Sequence, residues 1–319
     1  MTKGRVLRIG TRGSELALWQ ARWVQDRLEE QHPDIMTAIE ILKTKGDKVL
    51  DSTLAGMGDK GFFTREIEHA LLDQTVDLAV HSLKDLPTEL PAGLAIGAVT
   101  ERGDIRDVFI PNPRNPLRTL TGQPKGAVIA TGSLRRRCQL LHLCPGITVA
   151  DIRGNVSTRI KKLDESDWAG MILARAGVER LGWEDRIGET LSAERFLPAV
   201  GQGALAIEIR GDDEPVRSIV STLRHLPTEY ATTAERSLLH RLEGGCQVPI
   251  GTFGRVVENQ VLRLDALVGS LDGRTIVRGL IHGEPSNARR LGEELAEQLL
   301  RAGADRILEA IRALRPLSP

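Results

Sequence analysis

Val76-Asp77-Leu78-Ala79-Val80-His81-Ser82-Leu83-Lys84-Asp85-Leu86-Pro87 is the stretch on which the fold turns. Its first five residues form a short, nearly continuous apolar run. That is how a parallel strand covered on both faces reads. The run ends abruptly in polar residues and a proline. In open α/β sheets, ligands bind outside the carboxyl ends of the strands. One segment therefore indicates both the architecture and where its chemistry should lie.

The same unit recurs on either side. Val6 to Ile9 reads as a strand that turns through Gly10-Thr11-Arg12-Gly13 into a helix capped by Ser14. Leu16, Trp19, Trp23, Val24 and Leu28 share one face of that helix, and His32-Pro33 ends it. Ala38–Leu42 and Leu94–Val99 are further strands. Residues 44–61, framed by four glycines, are expected to form a long mobile loop. A helix follows, with Phe63, Ile67 and Leu71 on its apolar face. Prolines 111, 113, 116 and 124 mark a crossing, after which the rhythm restarts. Strands are expected at 127–130, 148–152 and 170–174, with helices beginning near Ser133 and running from Asn155 to Leu163.

This alternation in two blocks predicts two α/β domains with mostly parallel sheets. Ala204–Ile209 is one more strand, placed to return and complete the first sheet. Beyond Arg224 the pattern changes to a helix over 228–242, three alternating strands, and helices near 286–302 and 304–314. The expected domains are 1–103 plus 201–222, 104–200, and a small α+β domain over 223–319.

Composition narrows the function. Hydrophobic residues make up 41% of the 319 and charged residues 27%, with zero formal net charge. A neutral chain lacks the generic attraction to nucleic acid or anionic membrane that a basic one has. Only nine of its 43 basic residues are lysine, so the cations are mostly arginine forks suited to carboxylate and phosphate. Aromatic residues are just 3%, too few for base-stacking platforms. Cys138, Cys144 and Cys246 have no C-x-x-C spacing, and neither a disulfide framework nor a metal site is indicated. No signal segment or membrane span is read from the sequence, and the expected location is the cytoplasm.

The expected strand ends carry the candidate residues. Arg12 and Ser14 follow the first strand. Ser82, Lys84 and Asp85 follow the strand quoted above. Ser133, Arg135 and Arg136 follow a third, and Arg153 and Arg159 a fourth. Together with helix N-termini at Ser14, Ser133 and Asn155, these are expected to converge on one anion-binding mouth. Gly201-Gln202-Gly203 leads into a strand, so it is no Walker-type phosphate loop. Multiple carboxylates are the best match to the arginine forks. Asp85, an acid among cations, either neutralises a neighbour or stabilises a cation forming on a substrate. His81 reads as a proton shuttle or as a satisfied core residue. Cys246, in the glycine-framed turn Glu243-Gly244-Gly245-Cys246-Gln247-Val248-Pro249, is either an apolar filler or an attachment point. A solute-binding protein of the same architecture would also explain an anion-binding cleft, but it leaves Cys246 idle. A nucleic-acid reading would rest on Arg135-Arg136-Arg137 alone.

Five segments taken together resemble the porphobilinogen deaminase (hydroxymethylbilane synthase) family. They are His81–Pro87, Gly132-Ser133-Leu134-Arg135-Arg136, Arg153-Gly154-Asn155-Val156, Leu197-Pro198-Ala199-Val200-Gly201-Gln202-Gly203-Ala204 and Glu243–Pro249. They occur in family order and cover nearly the whole chain. The resemblance implies a fold of two periplasmic-binding-protein-like (type II) α/β domains with a small C-terminal α+β domain. It implies a transferase of porphyrin and heme biosynthesis that joins four porphobilinogens head to tail into a linear tetrapyrrole, releasing ammonia each time.

By the same resemblance, Cys246 carries a dipyrromethane cofactor through a thioether. Asp85 is the catalytic carboxylate, which assists loss of the amino group and stabilises the azafulvenium cation formed from the substrate. Ser82, Lys84, Ser133, Arg135 and Arg136 bind the cofactor along with Asp85. Arg12, Ser14, Arg153 and Arg159 bind substrate, and Lys60 reaches in from the mobile loop. Gly56 stands where the family usually has a second loop lysine. The implied partner is the small-molecule substrate alone, with no nucleic acid, membrane or metal, and the chain is expected to act as a monomer.

Overall fold

A computed structural model describes residues 6–44, 64–242 and 248–314. Lys60, Phe63 and Cys246, and most of the glycine-framed loop, lie outside the described residues. The first block comprises β1 (Val6–Arg12), α1 (Glu15–Gln31), β2 (Met36–Leu42), α2 (Arg65–Leu72), β3 (Leu78–Ser82) and β4 (Leu94–Val99). The second comprises β5 (Asp107–Pro111), β6 (Val128–Ala130), α3 (Leu134–Leu143), β7 (Thr148–Ala150), α4 (Val156–Glu165), β8 (Gly170–Ala174), α5 (Arg175–Glu179) and β9 (Glu189–Thr190). There follow β10 (Leu205–Arg210), α6 (Glu214–Val220) and α7 (Leu226–Arg241). The chain continues through β11 (Ile250–Val257), β12 (Val261–Gly269), β13 (Ile276–Gly283), α8 (Ala288–Leu299) and α9 (Asp305–Ala313).

These strands form three sheets, ordered β2-β1-β3-β10-β4, β7-β6-β8-β5-β9 and β11-β12-β13. In the first, β10 runs antiparallel to both neighbours, so β1 to β4 share one direction and a single returning strand opposes them. The second repeats this plan with β5 as the opposed strand. The third sheet is wholly antiparallel. The chain packs as two compact units. One holds described residues 6–44, 64–103 and 201–229, and the other 104–200, 230–242 and 248–314.

Period-two alternation divides the first sheet cleanly. Leu78 and Val80 of β3 and Leu205, Ile207 and Ile209 of β10 pack with Val24 and Leu28 of α1. On the opposite face, Ala79 packs with Ile67 and Leu71 of α2. The helix starts follow capping chemistry: Ser14, Ser133 and Asn155 each accept a hydrogen bond from a backbone N–H of the first turn. In the second unit, the antiparallel sheet packs its Leu262, Leu264 and Val268 with Leu291 and Leu295 of α8.

Two strands depart from the sequence reading, the two-residue β9 and the longer β5. Residues 107–111 fall where the prolines predict a crossing, yet they form β5, buried throughout. Asp107 at its head and Pro111 at its tail mask an apolar run of three. Proline is tolerated there because it ends the strand.

Candidate active site

Topology brings several functional groups to the carboxyl edge of each sheet. In the first unit, β1 ends at Arg12 and β3 at Ser82, and β10 begins opposite it, with Leu205 paired to Ser82. Ser14 Oγ accepts from Ala17 N at 3.3 Å and so starts α1 just beyond β1. Gln20, buried in α1, donates from Nε2 to Ser82 Oγ at 2.8 Å. That bond ties the end of β3 to α1. Leu83–Asp85 then make a single tight turn, with Leu83 N donating to Ala204 O at 3.0 Å. The turn leaves Asp85 exposed and Lys84 half-buried.

Gly201 explains part of the Gly201-Gln202-Gly203 pattern. Its φ is +70°, and a Cβ there would lie 2.9 Å from Leu83 Cγ. Only glycine combines that backbone angle with so close an approach. The motif thus supports the turn that carries Lys84 and Asp85.

The second unit assembles a comparable edge from β6, β7 and β8. Thr131 Oγ1 accepts from Ser133 N at 3.2 Å, and Ser133 Oγ in turn accepts from Arg136 N at 3.4 Å. Arg135 and Arg136 turn inward onto Asp107, which heads the opposed strand β5. Arg135 Nη1 donates to Asp107 Oδ2 at 2.7 Å and to Leu197 O at 2.7 Å. Arg136 Nη2 donates to Asp107 Oδ1 at 2.7 Å, and its Nη1 to Ile172 O at 3.0 Å. Burial alone would raise Asp107, but the two guanidiniums outweigh it and hold its carboxyl well below the usual range. Both arginines are buried, and Arg135 Nε is a buried donor without a hydrogen-bond acceptor in the protein.

Arg153 and Arg159 stand at the end of β7. Arg153 Nε donates to Asp151 Oδ2 at 3.1 Å, and Arg159 Nε to Gly154 O at 2.8 Å. Gly154 has φ +111°, and Asn155 Oδ1 accepts from Thr158 N at 2.8 Å to open α4. Both arginines are half-buried.

The first edge thus gathers Arg12, Ser14, Ser82, Lys84 and Asp85, and the second Ser133, Arg135, Arg136, Arg153 and Arg159. Two supporting residues were not singled out from the sequence. Asp107 is a buried acid opening an apolar run, and Gln20 is a buried polar residue at a core position of α1. The visible signal for both was a polar residue interrupting an otherwise apolar periodicity. Among the described residues, no group of three or more His, Cys, Asp or Glu could hold a metal ion, and no helix is long and apolar enough to cross a membrane.

Comparison with known proteins agrees with this arrangement. Residues 7–218 match the family model described as porphobilinogen deaminase, dipyromethane cofactor binding domain, and residues 230–301 match the porphobilinogen deaminase C-terminal domain. A porphobilinogen deaminase of Chloroherpeton thalassium is 50% identical over 312 residues, covering 97% of this chain and 98% of that protein. One of Desulfitobacterium hafniense is 51% identical over 306 residues, covering 96% and 97%. Among solved structures, a probable amino-acid ABC transporter extracellular-binding protein of Bacillus subtilis matches at a TM-score of 0.41. It is 10% identical and covers 73% of this chain and 96% of its own. The two mixed five-stranded sheets and the antiparallel third bear out the expected α/β class with a small C-terminal sheet. With family models matching most of its length, the chain belongs to the porphobilinogen deaminase family.

Proposed function

We propose that the protein is a transferase that joins four porphobilinogen molecules head to tail into hydroxymethylbilane, releasing one ammonia per addition. The observation that carries this reading is the buried Arg135 Nε, a donor with no acceptor of its own, beside the Arg136–Asp107 pair. A buried unsatisfied donor costs stability, and a ligand carboxylate would satisfy it. That donor fits a dipyrromethane group bearing acetate and propionate side chains.

When bound, dipyrromethane supplies the primer onto which pyrroles are joined. Ser82, Lys84, Ser133, Arg135 and Arg136 would hold its carboxylates and orient it, and Cys246 would anchor it through a thioether. Arg12, Ser14, Arg153, Arg159 and Lys60 would bind the carboxylates of incoming substrate. Asp85 is the catalytic acid-base residue. Its carboxylate is exposed, and in this reading it assists departure of the amino group and stabilises the positive charge left on the pyrrole carbon. Anchoring keeps the growing end at high effective concentration beside that carboxylate. The same reading carries three domains, 1–103 plus 201–222, 104–200 and 223–319, in a monomer that works in the cytoplasm.

Intact mass spectrometry of the purified protein tests the reading. A mass above the bare chain by two pyrrole units, mapping to the peptide that holds Cys246, is expected. The bare mass in an active preparation, or an adduct on another residue, would overturn it.

A further inference from the structure

Beneath the Ser82–Asp85 turn lies a buried polar cluster with no part in the binding groups above. His81, on β3, pairs across with Ala206 of β10, so its side chain shares a sheet face with Glu208 two residues on. His81 Nε2 stands 3.0 Å from Glu208 Oε2, an ion-pair distance without hydrogen-bond alignment. Glu68 approaches the same face from α2, and Thr64 immediately precedes that helix. All four residues are buried, Glu208 completely.

Their polar atoms do not balance. Thr64 Oγ1, Glu68 Oε1, His81 Nε2 and both Glu208 carboxylate oxygens are buried without an aligned hydrogen-bond partner. Among the described residues, these three acceptor oxygens face two unsatisfied donors, the hydroxyl and the imidazole. Two ionised carboxylates this deep would also repel one another. The surrounding charges give limited relief. Arg65 of α2 lowers Glu68 electrostatically, as the smallest of its influences, and Arg210 of β10 is engaged by Asp77, Asp213 and the carbonyls of Leu71 and Val76. One added proton supplies the missing donor and removes one of the two charges.

We propose that Glu68 is held as a neutral acid against the His81–Glu208 pair, and that this clamp fixes the end of β3. Glu68, His81 and Glu208 are then positioning residues for the Ser82–Asp85 turn, acting through the strand rather than on substrate. The inference rests on the role assigned to Asp85 above. Burial and the nearby Glu208 carboxylate raise Glu68 above the ordinary glutamate range, against the opposing effect of Thr64. The folded state thus keeps a proton that the unfolded chain releases. Its contribution to stability is full at low pH and is lost as pH rises through the folded value.

The test uses holoenzyme labelled with ¹³C at the glutamate side-chain carboxyls, with the Glu68 signal assigned by its loss in Glu68→Gln. The expected Glu68 signal titrates above the ordinary glutamate range, and kcat falls over that same interval while KM barely moves. Glu68→Gln, which mimics the neutral acid, should remove that alkaline fall. Glu208→Gln should lower kcat about 10- to 100-fold, the scale of a small misplacement of catalytic groups. A Glu68 carboxyl that titrates with the exposed glutamates overturns the clamp, whatever Asp85 does. An unchanged alkaline limb in folded Glu68→Gln overturns the positioning role, even if Glu208→Gln fails to fold. Full turnover by Asp85→Asn would instead overturn the site assignment and leave the titration result standing.

Discussion

Arg136 grips one oxygen of Asp107 twice, through Nε at 3.2 Å and Nη2 at 2.7 Å. Removing that acid strands two buried guanidiniums. Asp107→Ala should therefore cost about 3–5 kcal/mol, the range for breaking a buried ion pair by deleting one partner. Asp107→Asn keeps an acceptor but loses the charge, and it should fall between Asp107→Ala and wild type. Urea denaturation of the three proteins checks the order. Equal midpoints would mean that Asp107 contributes nothing to the edge.

The same acid sets a pH dependence. Its folded pKa lies below the ordinary 3.8, so the unfolded chain takes up the proton more readily than the folded one. Its stabilisation is complete above about pH 5 and is lost as pH falls toward the folded value. The denaturation midpoint of wild type should fall as pH drops below about 4, and Asp107→Asn should show a shallower decline. Parallel curves would assign the acid sensitivity to other carboxylates.

Gly201→Ala isolates support of the turn from chemistry within it. The added methyl meets Leu83 and must adopt φ +70°. A strain of about 1–3 kcal/mol is expected, with kcat reduced because the turn carrying Lys84 and Asp85 shifts. Gly182→Ala is the control: it has a comparable φ of +69° but nothing within 4 Å of the added Cβ. If both substitutions lower kcat equally, contact with Leu83 is not the cause.

Asp85→Asn should reduce turnover by at least 100-fold while leaving the dipyrromethane adduct in place, since the change is nearly isosteric and removes only charge. Single-turnover kinetics with intact mass readout separates the two effects. Loss of the adduct together with activity would make Asp85 a cofactor-loading residue instead.

The cysteines should differ in reactivity. Cys138 is fully buried, burial pushes its thiol up to about 12, and its Sγ donates to Arg135 O at 3.2 Å. The thiolate is the reactive form, so folded Cys138 should resist alkylation by iodoacetamide near neutral pH. Peptide mapping after brief labelling gives the answer, and rapid modification of Cys138 in folded protein would contradict it.

Much of the fold was legible because strands such as 94–99 and 170–174 are unbroken apolar runs and the helix starts carry capping residues. Ser133 and Asn155 each fell where a helix begins. β5 was hidden because its flanking aspartate and proline are turn-forming residues, and only the pairing with β8 and β9 turns them into strand ends. The positions of Ser82 and Ser133 at strand ends were equally readable. The inward course of Arg135 and Arg136 was not, since it depends on Asp107, nearly thirty residues away in the chain. Sequence separation likewise hid the bond between Gln20 and Ser82.

The returning strand β10 also sets an order of events during synthesis. β3 and β4 flank a gap that only residues 205–210 fill, whereas every strand of the second sheet lies within 107–190. At ribosomal speeds of about 5–20 residues per second, the first sheet waits on the order of ten seconds after β4 emerges before it can close. The second sheet has all its strands before that. The first sheet is thus the later of the two mixed sheets to complete, with its central strand edges open to chaperones, or to one another on crowded ribosomes, in the interval.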